Sequence, residues 1–157
     1  MKENIKYMVS VSEDAATMAV IGKASYINCR CVGDFLTTVI EKGCRKIAVD
    51  CSQCTGMDST FLGMVAGAAI RLRKLGGNLS LAGLNERNSE LIENLGLGKI
   101  VTIIDAPSQA ATSQEQLSAT NATTEGILAA HENLVAADAS NLSKFEDVIT
   151  FLKKEME

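Results

Sequence analysis

The sequence predicts an α/β fold: a mixed four- to five-stranded sheet with helices mainly on one face, plus a C-terminal helical hairpin. Three observations predict it. Short β-rich runs alternate with helical stripes through about residue 104, which implies parallel strands joined by right-handed crossovers. The first two runs are separated only by a short segment opening on the polar Ser12-Glu13-Asp14, which fits a turn between antiparallel strands. Two amphipathic patterns near the end are joined by Asp138-Ala139-Ser140-Asn141, a length suited to an antiparallel helix pair.

The elements follow in order. Residues 5–11 (IKYMVSV) and 17–21 (TMAVI) read as strands. Val32, Phe35, Leu36, Val39 and Ile40 fall at helical spacing, and Gly43 stops that helix. Ile47-Ala48-Val49 is a buried strand, followed by a polar loop. Asp58-Ser59-Thr60 then forms an N-cap and first turn, and a helix runs over about 60–75. Its stripe is Phe61, Val65, Ala68, Ala69, Leu72 and Leu75. Arg71, Arg73 and Lys74 suit its carboxyl end, and Gly76-Gly77 stops it. Gly63 and Gly67 sit one turn apart within it. Each costs about 1 kcal/mol in a helix, so the pair predicts an unusually close neighbour.

Residues 78–83 (NLSLAG) form the next strand, and Asn85 caps a helix over about 86–95 that buries Leu91, Ile92 and Leu95. Residues 99–104 (KIVTII) form the last strand. Composition shifts at Asp105. Residues 105–122, which hold the only proline, Pro107, read as a linker between the domain at 1–104 and an extension at 123–157. In the extension, Ile127, Leu128, His131, Leu134 and Val135 share one stripe over 124–137. Leu142, Phe145, Val148, Ile149 and Leu152 share another, with Ser143 and Glu146 as a capping box if that helix starts late. Helices this short need a partner surface. They fold back on the core or on each other, or they dock a second copy or a regulatory protein.

Composition bounds the function. The 157 residues are 46% hydrophobic but only 4% aromatic, so the core is built of Val, Ile, Leu and Ala. A net charge of −4 argues against nucleic acid. No apolar run of about 20 residues could span a membrane. The start, Met1-Lys2-Glu3-Asn4, lacks the apolar core of a signal peptide, so a cytoplasmic protein is expected.

Ser59 has a distinctive address, at the amino end of a helix where unpaired N–H groups favour negative charge. A phosphate there would add about −1.5 to −2 charges beside Asp58. On the residues alone, Asp58 and Ser59 read first as a helix cap. The runs Val49-Asp50-Cys51-Ser52, Met57-Asp58-Ser59-Thr60-Phe61-Leu62-Gly63, Leu75-Gly76-Gly77-Asn78-Leu79 and Leu95-Gly96-Leu97 resemble the STAS family. They resemble most its soluble bacterial anti-sigma factor antagonists. That family carries a D-S-[ST]-x-L-G turn between a strand and a long helix. A Gly-Gly turn, a strand and a helix ending near L-x-x-x-G-L follow. Order and spacing agree over about residues 5–104. The family often has Gly where Phe61 stands and a bulky residue where Gly56 stands. Phe61 is therefore expected to set a large apolar side chain beside the switch and alter partner choice.

The resemblance implies a STAS-like sheet and a protein–protein interaction module of transcription regulation rather than an enzyme. It implies phosphorylation of Ser59 and a partner surface at Met57, Asp58, Thr60, Phe61 and Gly63. The implied partners are a serine-kinase anti-sigma factor, whose capture frees a sigma factor, and a PP2C-type phosphatase that resets the switch. No cofactor, catalytic residue or metal ligand is implied, and the terminal helices are candidates for a homodimer contact. Two rivals are a non-phosphorylated STAS scaffold in a stress-signalling or transporter-associated complex, and a small-ligand sensor with a pocket near the middle helix.

The five cysteines include Cys51-Ser52-Gln53-Cys54 and Cys29-Arg30-Cys31. A redox reading wants Cys51 at a helix N-terminus, but the helix starts several residues later. A zinc reading fits C-x-C poorly. Free thiols in a reducing compartment are expected. His131, the one histidine, is expected as a packed residue.

Overall fold

Burial alternates along the strands, so the sheet has one densely covered face and one half-exposed face. The computed structural model describes residues 4–107 and 114–157. Residues 1–3, on which the signal-peptide reading rests, and residues 108–113 of the expected linker lie outside the described residues. The strands are β1 (Lys6–Val11), β2 (Ala15–Ala24), β3 (Lys46–Met57), β4 (Asn78–Ala82), β5 (Thr102–Ile104) and β6 (Glu115–Gln116). Their spatial order is β5-β4-β3-β2-β1-β6. β1 runs antiparallel to β2 and β6, and the other neighbours are parallel. The helices are α1 (Arg30–Glu41), α2 (Ser59–Lys74), α3 (Glu86–Asn94), α4 (Thr124–Ala137) and α5 (Asn141–Glu155).

The mixed sheet with a C-terminal hairpin is the predicted architecture, with one strand more than predicted. The sixth is β6, drawn from the segment expected as linker. It pairs Met8 with Gln116 and Val9 with Glu115, using the backbone groups that β1 leaves open on its outer side. Other features differ too. β2 runs over Ala15–Ala24, past both ends of the expected 17–21 run. β3 runs on through the polar residues expected as a loop. It stays paired there with the far half of β2, across register shifts that keep Cys51, Cys54 and Met57 buried. The KIVTII strand is shortened to Thr102–Ile104. Gly96, at φ +67°, turns the chain into a 3-10 turn at Leu97–Lys99, and the Val101 N–H bonds back to the Leu97 carbonyl at 3.1 Å. No Ser143–Glu146 capping box forms, because α5 begins at Asn141 and Ser143 Oγ bonds the Ser140 carbonyl instead.

α2 is the hub of the core. Phe61, Leu62, Val65, Ala66, Ala69 and Leu72 are fully buried, and the Phe61 ring stacks on Tyr7 of β1 with centroids 6.4 Å apart. The Tyr7 hydroxyl donates to Asn28 Oδ1 at 2.7 Å, so this buried phenol is satisfied. α4 lies across α2, and α5 packs on α4 through a small separate cluster of Leu128, Ile149 and Leu152. Leu142 and Val148, expected on the inner stripe of α5, face outward, as does Leu75, expected on the stripe of α2.

Phe61→Ala should lower unfolding stability by about 3–5 kcal/mol, since it empties a fully buried ring site. Urea titration reads this as a lower midpoint at an unchanged slope. A loss under about 1 kcal/mol would contradict the packing described.

Candidate functional site

The site grows from the cap of α2. Asp58 holds an extended backbone (φ −104°, ψ 176°), the usual N-cap geometry. Its Oδ1 accepts from the Phe61 N–H at 2.9 Å, and its Oδ2 accepts from the Tyr26 N–H at 2.8 Å. Its own N–H donates to the Ala24 carbonyl at 3.0 Å. One carboxylate thus ties α2 to the loop between β2 and α1, with both oxygens already engaged.

Ser59 is the first helical residue and is half-buried. Its Oγ lies 2.9 Å from Nε2 of His131, a residue of α4. The other ring nitrogen, Nδ1, lies 2.7 Å from the Ile127 carbonyl. A carbonyl only accepts, so Nδ1 carries the proton. In the neutral ring Nε2 is then an acceptor, and the Ser59 hydroxyl donates to it. His131 is 4% exposed and meets Phe145 edge-on at 5.1 Å. The histidine is packed, as the sequence suggests, and it also holds the one hydroxyl the sequence marks out.

The glycine pair explains the close approach. A β-carbon on Gly63 would overlap the backbone of Ala130, and one on Gly67 would overlap the Asn133 amide. Asn133 Nδ2 donates to the Gly63 carbonyl at 3.1 Å. The neighbour those glycines call for is α4.

The turn between α4 and α5 is anchored separately. Asn141 Nδ2, fully buried, donates to the Leu95 carbonyl at 2.9 Å and to the Leu134 carbonyl at 2.7 Å. Lys144 Nζ donates to the Asn94 carbonyl at 2.7 Å, and Lys99 pairs with Asp138 at 2.8 Å. The Lys99 and Ser140 hydrogen bonds hold the Asp138 carboxyl well below the usual carboxylate range.

Of the residues expected at the partner surface, Asp58 is half-buried, and Met57 (7% exposed), Thr60 and Phe61 are buried. Gly63 lies under α4. The Phe61 ring does not sit beside Ser59. As part of the α2 stripe it turns into the core, which corrects the expectation of an apolar side chain presented at the switch. Sequence reasoning missed Tyr26, Asn133 and the Ser59–His131 contact, whose partners stand 72 positions apart. The Gly63–Gly67 spacing was the one signal that a close neighbour existed.

A family model described as "Mlab, STAS domain" matches residues 7–104. The chain belongs to the STAS domain family. The match ends before α4 and α5. None of the curated proteins matches the chain. Solved structures do. A putative anti-sigma factor antagonist from Thermotoga maritima is similar at 21% identity and TM-score 0.58, over 62% of this chain and 85% of that one. The Bacillus cell fate determinant SpoIIAA in its phosphorylated form is similar at 17% identity and TM-score 0.56, over 65% and 92%. The unphosphorylated form of the anti-sigma factor antagonist SpoIIAA gives 15% and 0.51, over 64% and 89%. At these identities the likeness is one of fold. This STAS chain has no helix, among the described residues, long and apolar enough to cross a membrane.

The thiols are free, and no group of three or more His, Cys, Asp or Glu side chains among the described residues could hold a metal ion. Burial, reinforced by Asp58 and Cys31, pushes the Cys29 thiol up to about 12. Burial, reinforced by Cys54 and Asp50, does the same to Cys51. Cys51 therefore resists ionisation, the reverse of what a redox thiol needs. A groove of about 650 Å³ lies between α1, α2 and α4, where a ligand-sensing reading wants a pocket. Arg30, Arg71 and Lys74 share its lining with Asp34 and Glu125, so no single charge selects a ligand.

These thiols set an alkaline limit on stability. Between the unperturbed value of 9.0 and about 12, the unfolded chain sheds thiol protons that the folded chain keeps. Stability is fully present below that window and falls as pH rises through it, by up to about 1.4 kcal/mol per pH unit for each thiol. Urea unfolding at about pH 8 and about pH 10.5 should show that fall, and Cys51→Ala should flatten it. An equal fall in both proteins would contradict the burial of Cys51.

Proposed function

We propose that this chain is a phosphorylation-switched binding module of the anti-sigma factor antagonist kind, acting in the cytoplasm on transcription. Unmodified, it binds a serine-kinase anti-sigma factor at the amino end of α2, around the half-buried Asp58 and Ser59 with Met57, Thr60, Phe61 and Gly63 beneath them, and so frees a sigma factor. The kinase phosphorylates Ser59, the complex parts, and a phosphatase restores the hydroxyl. The observation that carries this reading is the position of Ser59. It follows the Asp58 cap as the first residue of α2, in a fold shared with solved anti-sigma factor antagonists, one of them in a phosphorylated form.

The physics supports a switch at that position. A helix amino end stabilises an anion by about 0.3–1 kcal/mol when exposed, so the phosphate is tolerated by the protein that carries it. The same group adds about −1.5 to −2 charges beside Asp58, and an acidic or apolar partner surface would have to desolvate it.

One observation favours a second reading, a scaffold that is never phosphorylated. The Ser59 hydroxyl already has a partner within its own chain, His131. Incubation with ATP and a serine-kinase anti-sigma factor from the same genome separates the two. Mass spectrometry should find one phosphate, on Ser59, and none on Ser59→Ala. Ser59→Ala should still bind that kinase, and Ser59→Asp should bind at least about tenfold more weakly, a difference of about 1.4 kcal/mol. No phosphate at Ser59, with wild type and Ser59→Asp bound equally, would leave the scaffold reading standing.

A further inference from the structure

We propose that the α4–α5 hairpin is a lid on the amino end of α2, latched by the Ser59–His131 and Asn133–Gly63 hydrogen bonds, and that a phosphate on Ser59 opens it. The phosphate clause rests on the function proposed above; the lid itself does not.

Three observations carry the inference. The first is occlusion. Ser59 Oγ is in hydrogen-bond contact with a nearly buried imidazole, and the adjoining turn of α2 lies against the α4 backbone at Gly63. An incoming kinase and its nucleotide need the space that α4 fills. Phosphoryl transfer joins the γ-phosphorus of ATP to Oγ, breaks its bond to the bridging oxygen of departing ADP, and releases the hydroxyl proton to a base. The product has lost the hydrogen that Nε2 accepted. A phosphorus and its three further oxygens cannot enter the 2.9 Å between Oγ and Nε2, so the closed contact is lost and the ring of His131 must give way.

The second is that the hairpin has its own glue. Leu128, Ile149 and Leu152, with Ile127 and Val135, form an apolar cluster of their own, and Phe145 touches both it and the main core. α4 meets the main core chiefly through Leu134, with Ala137 at its edge. The rest of its contact with α2 uses Ala130, His131 and Asn133. Lifting the pair breaks two side-chain hydrogen bonds, withdraws Leu134 and Phe145 from the main core and uncovers the face of α2 that α4 crosses, while the α4–α5 cluster stays together.

The third is a pivot. The α4–α5 turn is held at residues 94–99 by Asn141, Lys144 and the Lys99–Asp138 pair, none of which touches Ser59. The latch and the anchor lie at different places on the hairpin, as a hinged element requires.

Amide hydrogen exchange on the full chain tests this without a kinase. Peptides covering 124–137 and the first turn of α2 should exchange at least about tenfold faster in Ser59→Glu and in His131→Ala than in wild type. Peptides from β2 and β3 should keep wild-type rates. Ser59→Ala, which removes the bond but adds no bulk, should accelerate the same peptides about fivefold or less. Hairpin exchange unchanged in Ser59→Glu and His131→Ala, or raised equally across β2 and β3, would overturn the lid. The kinase assay then separates the lid from the function. Faster Ser59 phosphorylation in His131→Ala than in wild type supports both. Equal rates with unchanged hairpin exchange overturn the lid and leave the function standing. No phosphorylation, with a hairpin loosened by Ser59→Glu, keeps the lid and removes the phosphate as its trigger.

Discussion

The close crossing of α4 over α2 is the constraint on which the rest of the site depends. Two glycines in one helix cost about 2 kcal/mol of helix propensity together, and the fold recovers that in contact. With a side chain at Gly63, the backbone of Ala130 could not approach, and Asn133 could not reach the Gly63 carbonyl. Without that approach His131 would stand too far from Ser59 to take its hydroxyl. The position of one hydrogen bond at the amino end of α2 is set by the absence of a β-carbon one turn further along.

Asp58 supplies the other half of the geometry. Its two oxygens fix the first turn of α2 to the loop after β2, so the Ser59 backbone is held by groups that do not include the hydroxyl itself. The cap is structural, and the hydroxyl next to it serves the contact with α4 instead. Phe61, buried against Tyr7, anchors the same turn from below.

Much of this was legible in the sequence because local signals and tertiary demand agree. The α2 cap, its cationic last turn and its Gly76 stop, and the Thr124–Ala137 helix follow from capping chemistry and from apolar spacing. Other features depend on pairing that no local pattern carries. The polar end of β3 looks like a loop and is a strand because β2 continues beside it. Glu115 and Gln116 have little strand character and pair because β1 offers an open edge. Thr102–Ile104 is all that remains of an apparent six-residue strand, because Gly96 turns the chain first. Ser59 was visible as a residue with an address, yet its partner was not. A histidine on an apolar stripe looks the same whether its ring ends in the core or on a distant hydroxyl. The glycine spacing said that something lies close, and only the fold says that it is α4.

The account turns on the Ser59 hydroxyl donating to Nε2 of His131 in the unmodified chain, with the imidazole proton on Nδ1 against the Ile127 carbonyl. Ring nitrogen shifts of His131, read by long-range proton–nitrogen correlation above about pH 8, where an ordinary imidazole is neutral, test it directly. The account predicts a protonated Nδ1 and a bare Nε2, with the preference weakened in Ser59→Ala. A ring protonated at Nε2, with the same spectrum in wild type and Ser59→Ala, would contradict it.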